Sequence, residues 1–280
     1  MFVRADKLLE DHSGTGDHIV GYGWDGFEPT LTLHGEGRLE CIRPMELDLF
    51  LSRTKTCVGR FEGERYIPCP DQVKVNRFNQ CRDCASTWIP IQECIFEPKC
   101  GGERCDCHFC SRPHLVYAAF QGRRLKVGMT SSKRLETRGI EQGADAIVPL
   151  VECKNRMEAR RMENELSRIL GASQRVTQKQ SLEAIAHPSD ERGVMSRYRD
   201  ILDRARNICD PMGAELIFLE EYPLKRLDRV PRLVPVEGSH RGELVGMKGK
   251  FAIYESKGAI LALNMFDAVG RWDLSCPPSD

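Results

Sequence analysis

The sequence predicts an α+β protein with β-rich ends, a thiol-rich stretch after the first of them, and a compact β-β-α-β-α core. Three observations carry this prediction. Short apolar-polar alternations separated by Gly and Pro recur before residue 52 and after residue 215. Nine of the thirteen cysteines fall between Cys57 and Cys110, where apolar periodicity is weak. Between residues 115 and 171 two short strands, a helix, a strand and a second helix follow one another. The predicted organisation is residues 1–51, N-terminal β-rich; 52–114, Cys-rich and zinc-binding; 115–171, core; 172–214, a polar helical connector; and 215–280, C-terminal β-rich.

Length and composition set the limits. A chain of 280 residues has room for one large or a few small domains. Formal net charge is zero, which argues against a protein that coats nucleic acid by bulk charge. No apolar run approaches the roughly 20 residues that span a bilayer. The first residues, Met1 to Lys7, lack the apolar centre of a signal peptide. A cytoplasmic protein is expected. There thiols stay reduced, so the cysteines point to metal rather than disulfides.

The N-terminal strands are expected at His18–Trp24, Pro29–His34 and Glu36–Cys41, with a short helix over Pro44–Leu51. The next stretch is punctuated by Gly59, Gly63, Pro68, Pro70, Pro90, Pro98, Gly101 and Gly102. So coreless a segment needs a staple, and zinc is a natural one. Zinc requires three or four converging donors at about 2.3 Å for sulfur. Cys81-Arg-Asp-Cys84 supplies a pair from one tight turn, and Cys57 and Cys69 complete a first set. A second set is Cys94, Cys100, Cys105 and Cys110, with Cys107, His108 and His114 as competing ligands. One or two structural zinc ions are expected. Four thiolates would leave no open position for catalysis.

The core begins at Val116-Tyr117-Ala118, turns at Gln121–Arg124 and returns through Lys126-Val127-Gly128. A helix over Thr130–Gln142, capped by Thr130 or Ser131, ends at Gly143. Ala146–Glu152 reads as a buried strand, and Asn155 caps a helix from Arg156 to Leu170 that ends at Gly171. A connector helix is expected around Arg197–Cys209. Strands follow at Leu216–Leu219, Arg232–Val236, Glu243–Gly246, Lys250–Tyr254 and Ala259–Leu263, with the N-terminal strands as candidate partners.

These core motifs, with the Glu158-Ala-Arg-Arg-Met-Glu163 helix, resemble the GIY-YIG nuclease core. More widely, residues 35–265 resemble a domain-of-unknown-function family of archaeal and bacterial proteins that joins a Cys-rich region to such a core. The matching blocks are Cys94-Ile-Phe-Glu-Pro-Lys-Cys100, Lys126-Val-Gly-Met-Thr130, Ile140-Glu-Gln-Gly-Ala-Asp145 and Gly246-Met-Lys-Gly-Lys250. The nuclease resemblance implies that Tyr117 helps activate the attacking water and that Glu163 binds a divalent cation, Mg²⁺ or Mn²⁺. It also implies that Arg134 or Arg138 stabilises the scissile phosphate, and that Gly128 is the glycine of the second motif. Lys126 stands where the second motif has tyrosine, and lysine at its ordinary pKa is a poor base.

Charge adds to this reading. From Arg123 to Arg175 there are twelve Lys/Arg against seven Asp/Glu. Arg123, Arg124 and Lys133 are candidate phosphate contacts beside Lys126, Arg134 and Arg138. The expected function is a zinc-stabilised protein that interacts with DNA or RNA, as a divalent-metal-dependent endonuclease. The alternative is a non-catalytic module that binds RNA, DNA or a protein partner.

Overall fold

A computed structural model describes residues 16–85, 94, 97–104, 106–211 and 215–274. Cys105 and Cys276 lie outside the described residues.

The chain opens with four strands: β1 (Asp17–Asp25), β2 (Glu28–Gly35), β3 (Arg38–Ile42) and β4 (Leu47–Leu51). A small hairpin follows, β5 (Arg60–Glu62) and β6 (Arg65–Ile67). The short helix α1 (His108–Ser111) leads into β7 (His114–Gln121) and β8 (Arg124–Thr130). Next come α2 (Leu135–Gln142), β9 (Ala146–Cys153), α3 (Arg156–Leu170), α4 (Gln178–Ala186) and α5 (Glu191–Ala205). The last part holds β10 (Ile217–Phe218), β11 (Arg232–Leu233), β12 (Gly238–Lys248), β13 (Phe251–Ser256) and β14 (Ala259–Asn264). It ends with α6 (Met265–Ala268) and β15 (Trp272–Asp273). Among the described residues no helix is long and apolar enough to cross a membrane.

The chain forms two compact units. The first takes residues up to 86, 223–225 and those from 231; the second takes 87–222 and 226–230. The division at residue 86 falls inside the thiol-rich stretch.

The first unit is a nine-stranded sheet in the order β11-β14-β13-β12-β4-β15-β1-β2-β3. N-terminal and C-terminal strands therefore share one sheet, with β4 and β15 as the join. Of residues 44–51, expected as a short helix, Leu47–Leu51 form the strand β4 instead. Leu47 and Leu51 are buried while Asp48 is exposed, a period of two, and β4 hydrogen-bonds to β12 through Leu51↔Gly238 to Leu47↔Gly242. Pairing partners some 190 residues away overrode a locally helix-compatible run. Ile19, Leu31, Leu51, Met247, Tyr254 and Leu263 are among the buried side chains of this core.

The second unit is a four-stranded antiparallel sheet, β10-β9-β7-β8. Its apolar core joins Val116, Ala118 and Phe120 of β7 to Ala159, Leu166 and Leu170 of α3 and Val194, Ile201 and Ala205 of α5. The polar connector thus contributes a buried helix face. β10 pairs with β9, so residues after 215 contribute to both units.

Local signals hold well here. The Asn155 side chain accepts the Glu158 N–H at 2.9 Å and caps α3. Gly143 and Gly171 end their helices with φ of 70° and 62°. The helix expected from Thr130 starts later. Thr130 remains in β8, a 3₁₀ turn covers Ser132–Arg134, and neither Ser131 nor Arg134 makes a side-chain cap.

Candidate metal centre and core site

The first four thiols converge. β5 and β6 form a tight hairpin whose turn is Gly63-Glu64, and Cys57 and Cys69 flank it. Gly59 makes the approach possible: its φ is 69°, and a Cβ there would sit 2.3 Å from the Ile67 carbonyl oxygen. The Cys81–Cys84 turn supplies the other pair. All four sulfur atoms lie within 4.8 Å of one another. Cys69 Sγ and Cys81 Sγ are 4.0 Å apart, close to the roughly 3.8 Å that sulfurs take in a tetrahedron with bonds of about 2.3 Å.

The surroundings suit a bound metal. Cys57, Cys69 and Cys84 are buried, with the partly buried Val75 and Cys81 packed against them. The Cys81 N–H donates to Cys57 Sγ at 3.2 Å. Burial pushes the Cys84 thiol up to about 12, and the Cys81 and Cys57 sulfurs add to this. Cys81 goes the other way: burial raises it, but hydrogen bonds from the Cys84 backbone, the Cys57 and Cys84 thiols and the Asp83 backbone outweigh that and favour its thiolate. A divalent metal reverses the whole balance, because a coordinated thiol is deprotonated outright. The donor set is soft, fourfold and gathered within 4.8 Å, so it fits structural zinc. When bound there, zinc would tie the β5–β6 hairpin to the Cys81–Cys84 turn.

The second thiol set is placed differently. Cys94, Cys100, Cys107 and Cys110 are each at most 4 % exposed. Cys107 and Cys110 bracket the start of α1, with the Cys110 N–H donating to the Cys107 carbonyl at 3.0 Å. Cys105, expected as a ligand, cannot be placed among the described residues. His114 begins β7, buried, with Nδ1 2.8 Å from the Arg112 carbonyl and Nε2 without a hydrogen-bond partner. Among the described residues, no other three metal-ligating atoms lie within 4.8 Å of one another.

The core residues also come together. Tyr117 lies opposite Gly128 in the β7–β8 ladder, and its ring crosses the glycine: a Cβ at 128 would sit 2.7 Å from the Tyr117 hydroxyl oxygen. That contact is the physical reason for glycine at this position. Lys126 pairs with Ala119, so alternation puts it on the same sheet face as Tyr117. The Gln142 amide of α2 donates to the Tyr117 hydroxyl at 2.6 Å, and the Arg138 guanidinium lies beside it. Tyr117 is 1 % exposed. Burial raises its pKa more than Arg138 and Gln142 lower it, so the phenol keeps its proton at neutral pH.

Glu163 closes the set from α3. It is buried, and desolvation raises its carboxyl despite Arg160 and Lys126, which pull it down. Arg160, one turn earlier, holds it at 2.8 Å and reaches Glu97 at 3.0 Å. Arg134 and Arg138 both pair with Glu141, at 2.6 and 2.9 Å, and of the two only Arg138 reaches Tyr117. Arg123 and Arg124 line a cavity of about 640 Å³ with Gln121, Glu183, Ala184 and His187. Arg124 is held by Glu183 at 3.1 Å, and Lys133 is exposed. Of the six candidate cations, Arg123 lies in the β7–β8 turn and Arg138 on α2. Arg124 begins β8, Lys126 is inside it, and Lys133 and Arg134 follow its end.

Sequence reasoning missed Gln142, Arg160 and Glu97. The i,i+3 spacing of Arg160 and Glu163 was a visible signal for an ion pair. Nothing local announced Gln142 or Glu97.

No curated protein and no solved structure matches the chain. A family model described as "Protein of unknown function (DUF2797)" matches residues 45–270. The thiol centre, the core site and every strand from β4 to β14 lie inside that span, so the chain belongs to this family.

Proposed function

We propose that the protein is a zinc-stabilised, nucleic-acid-interacting protein with a GIY-YIG-like core that grips a phosphodiester. The observation that carries this is the convergence of Tyr117, Lys126, Arg138 and Glu163 on one edge of a β-β-α-β-α unit. Lys126 and Arg138 supply the positive charge that meets a phosphate, and the buried Tyr117 hydroxyl lies beside Arg138. The cations along β8 extend the contact. From Arg124 to Thr130 a strand covers about 20 Å, the length of about six nucleotides of B-form backbone. Zinc at Cys57, Cys69, Cys81 and Cys84 is the structural cofactor. The eleven described cysteines are all free thiols, which suits the reducing cytoplasm.

Binding without cleavage is the reading favoured over turnover. Tyr117 is sealed and protonated, and Glu163 is already satisfied by Arg160 at 2.8 Å. As it stands, one ion-paired carboxylate does not fit a resident Mg²⁺ or Mn²⁺. The endonuclease reading requires the Arg160–Glu163 pair to open.

The experiment is a panel of duplex, branched and single-stranded DNA and RNA, with and without Mg²⁺ or Mn²⁺, across a salt series. The expected result is salt-sensitive binding, weakened about tenfold or more in Lys126→Ala and Arg138→Ala, with no turnover. Cleavage that is lost in Glu163→Ala would establish the endonuclease instead. Absence of salt-sensitive binding to every nucleic acid would overturn the proposal and leave a protein-binding module.

A further inference from the structure

We infer that the cavity beside the β7–β8 turn binds a ribonucleoside 5′-phosphate, free or at the end of a strand. Its lining residues are Gln121, Arg123, Arg124, Glu183, Ala184 and His187. None of them is among the residues that meet at Tyr117 and Glu163, so the inference does not rest on the reading of that core site.

The turn is built to stay still. The Gln121 amide donates to the Gln142 carbonyl at 2.7 Å. The buried Asp145 carboxylate accepts from the Gly122 N–H at 2.7 Å and from the Ser189 N–H at 3.1 Å. The Arg197 guanidinium donates to the Gly122 carbonyl at 2.9 Å and to the Ser189 hydroxyl at 2.6 Å, and it lies over the Phe120 ring. Gly122 itself presses on the end of α4. Its φ is 52°, and a Cβ there would sit 2.9 Å from the His187 carbonyl oxygen and 3.0 Å from Ala184 Cα. A hairpin turn needs none of this to reverse the chain. A ligand held between the turn and α4 does, because side chains fixed in advance lose less entropy on binding.

The lining carries both halves of a recognition code. Arg123 and Arg124 are adjacent guanidinium groups, and Arg123 makes no ion pair among the described residues. Such forks suit the oxygens of a terminal phosphate. Two acceptors stand beside them. Gln121 is 3 % exposed, and its Oε1 has no hydrogen-bond partner, so it calls for a donor from whatever fills the cavity. The Glu183 carboxylate holds Arg124 at 3.1 Å and keeps further acceptor capacity. It would repel a bare anion. A ribose reconciles the two halves, since its hydroxyls donate to the acceptors while its phosphate meets the guanidinium groups. The volume, about 640 Å³, lies within the usual range of small-molecule sites.

The test is calorimetric titration of the full chain with adenosine and uridine 5′-monophosphates. Saturable binding tighter than about 1 mM is expected. Inorganic phosphate is expected to bind about tenfold more weakly, and the 2′-deoxy monophosphate about fivefold more weakly. Arg123→Ala, at an exposed turn position, is expected to weaken the monophosphates about tenfold with an unchanged circular dichroism spectrum. Glu183→Gln is expected to shrink the ratio between ribose and deoxyribose forms. That ratio does not depend on how well Arg124 is held. Lys126→Ala is expected to change none of these values, which separates the cavity from the core site.

Oligoribonucleotides with and without a 5′-phosphate distinguish the two sources. A preference for the phosphorylated end that Arg123→Ala abolishes would assign the cavity to strand ends, and binding of the monophosphates alone would assign it to the free nucleotide. No saturable binding of any monophosphate to the folded chain would overturn the inference. So would inorganic phosphate binding as tightly as the monophosphates, equal affinity for ribose and deoxyribose forms, or a loss in Lys126→Ala as large as that in Arg123→Ala.

Discussion

His18 shows how much of this fold depends on single buried groups. It is 4 % exposed, bonded to Thr56 at 3.1 Å and stacked on Trp272 with centroids 4.7 Å apart. Burial lowers its pKa to about 4, against a small opposing pull from the Gly270 carbonyl. The folded form therefore refuses a proton that the unfolded chain takes below about pH 6.5. The stabilisation is complete above pH 6.5 and is lost as pH falls towards 4, by at most about 3 kcal/mol. Burial lowers His114 and His240 in the same direction. Urea midpoints measured between pH 4 and 7 should fall less steeply with acid in His18→Gln than in the parent. An unchanged slope would remove His18 from the account.

At the scale of elements, the α2–β9 contact turns on Gly139. A Cβ there would meet Leu219 Cδ1 at 2.6 Å and Ile147 Cγ2 at 2.9 Å, and both side chains are buried. Two effects oppose each other in Gly139→Ala. Helix propensity gains about 1 kcal/mol, and overpacking costs about 1–3 kcal/mol. Because Ile147 sits inside the sheet and has no room to move, the packing cost wins. The expected outcome is a net loss of about 1 kcal/mol in chemical denaturation, with the helix content unchanged by circular dichroism. A gain in stability would show that α2 can lift off the sheet. The same element explains why α2 was legible only in part. Its C-terminal Gly143 was plain, whereas its start was set by where β8 stops pairing with β7.

At the scale of the whole molecule, the two ends of the chain complete one sheet. β4 pairs with β12 and β15, and β1 pairs with β15. Truncation after Val230 keeps the second unit whole and removes β11–β15. β1 to β4 then lose their C-terminal partners, and their amides should lose protection from hydrogen exchange while β7 to β9 keep theirs. Persistent protection in β1 to β4 would mean that the N-terminal strands are stable on their own.

Several features were set by the sequence alone. The Cys-x-x-Cys pairs, the Asn155 cap, Gly143, Gly171 and the strand-strand-helix-strand-helix order are encoded within a few residues of where they act. Capping, turn geometry and short-range periodicity are local forces. Only the tertiary structure decided that β4 is a strand and that Arg160 satisfies Glu163 beside Tyr117. Those outcomes depend on which distant surfaces meet, because burial and pairing act between residues the chain brings together only when it folds.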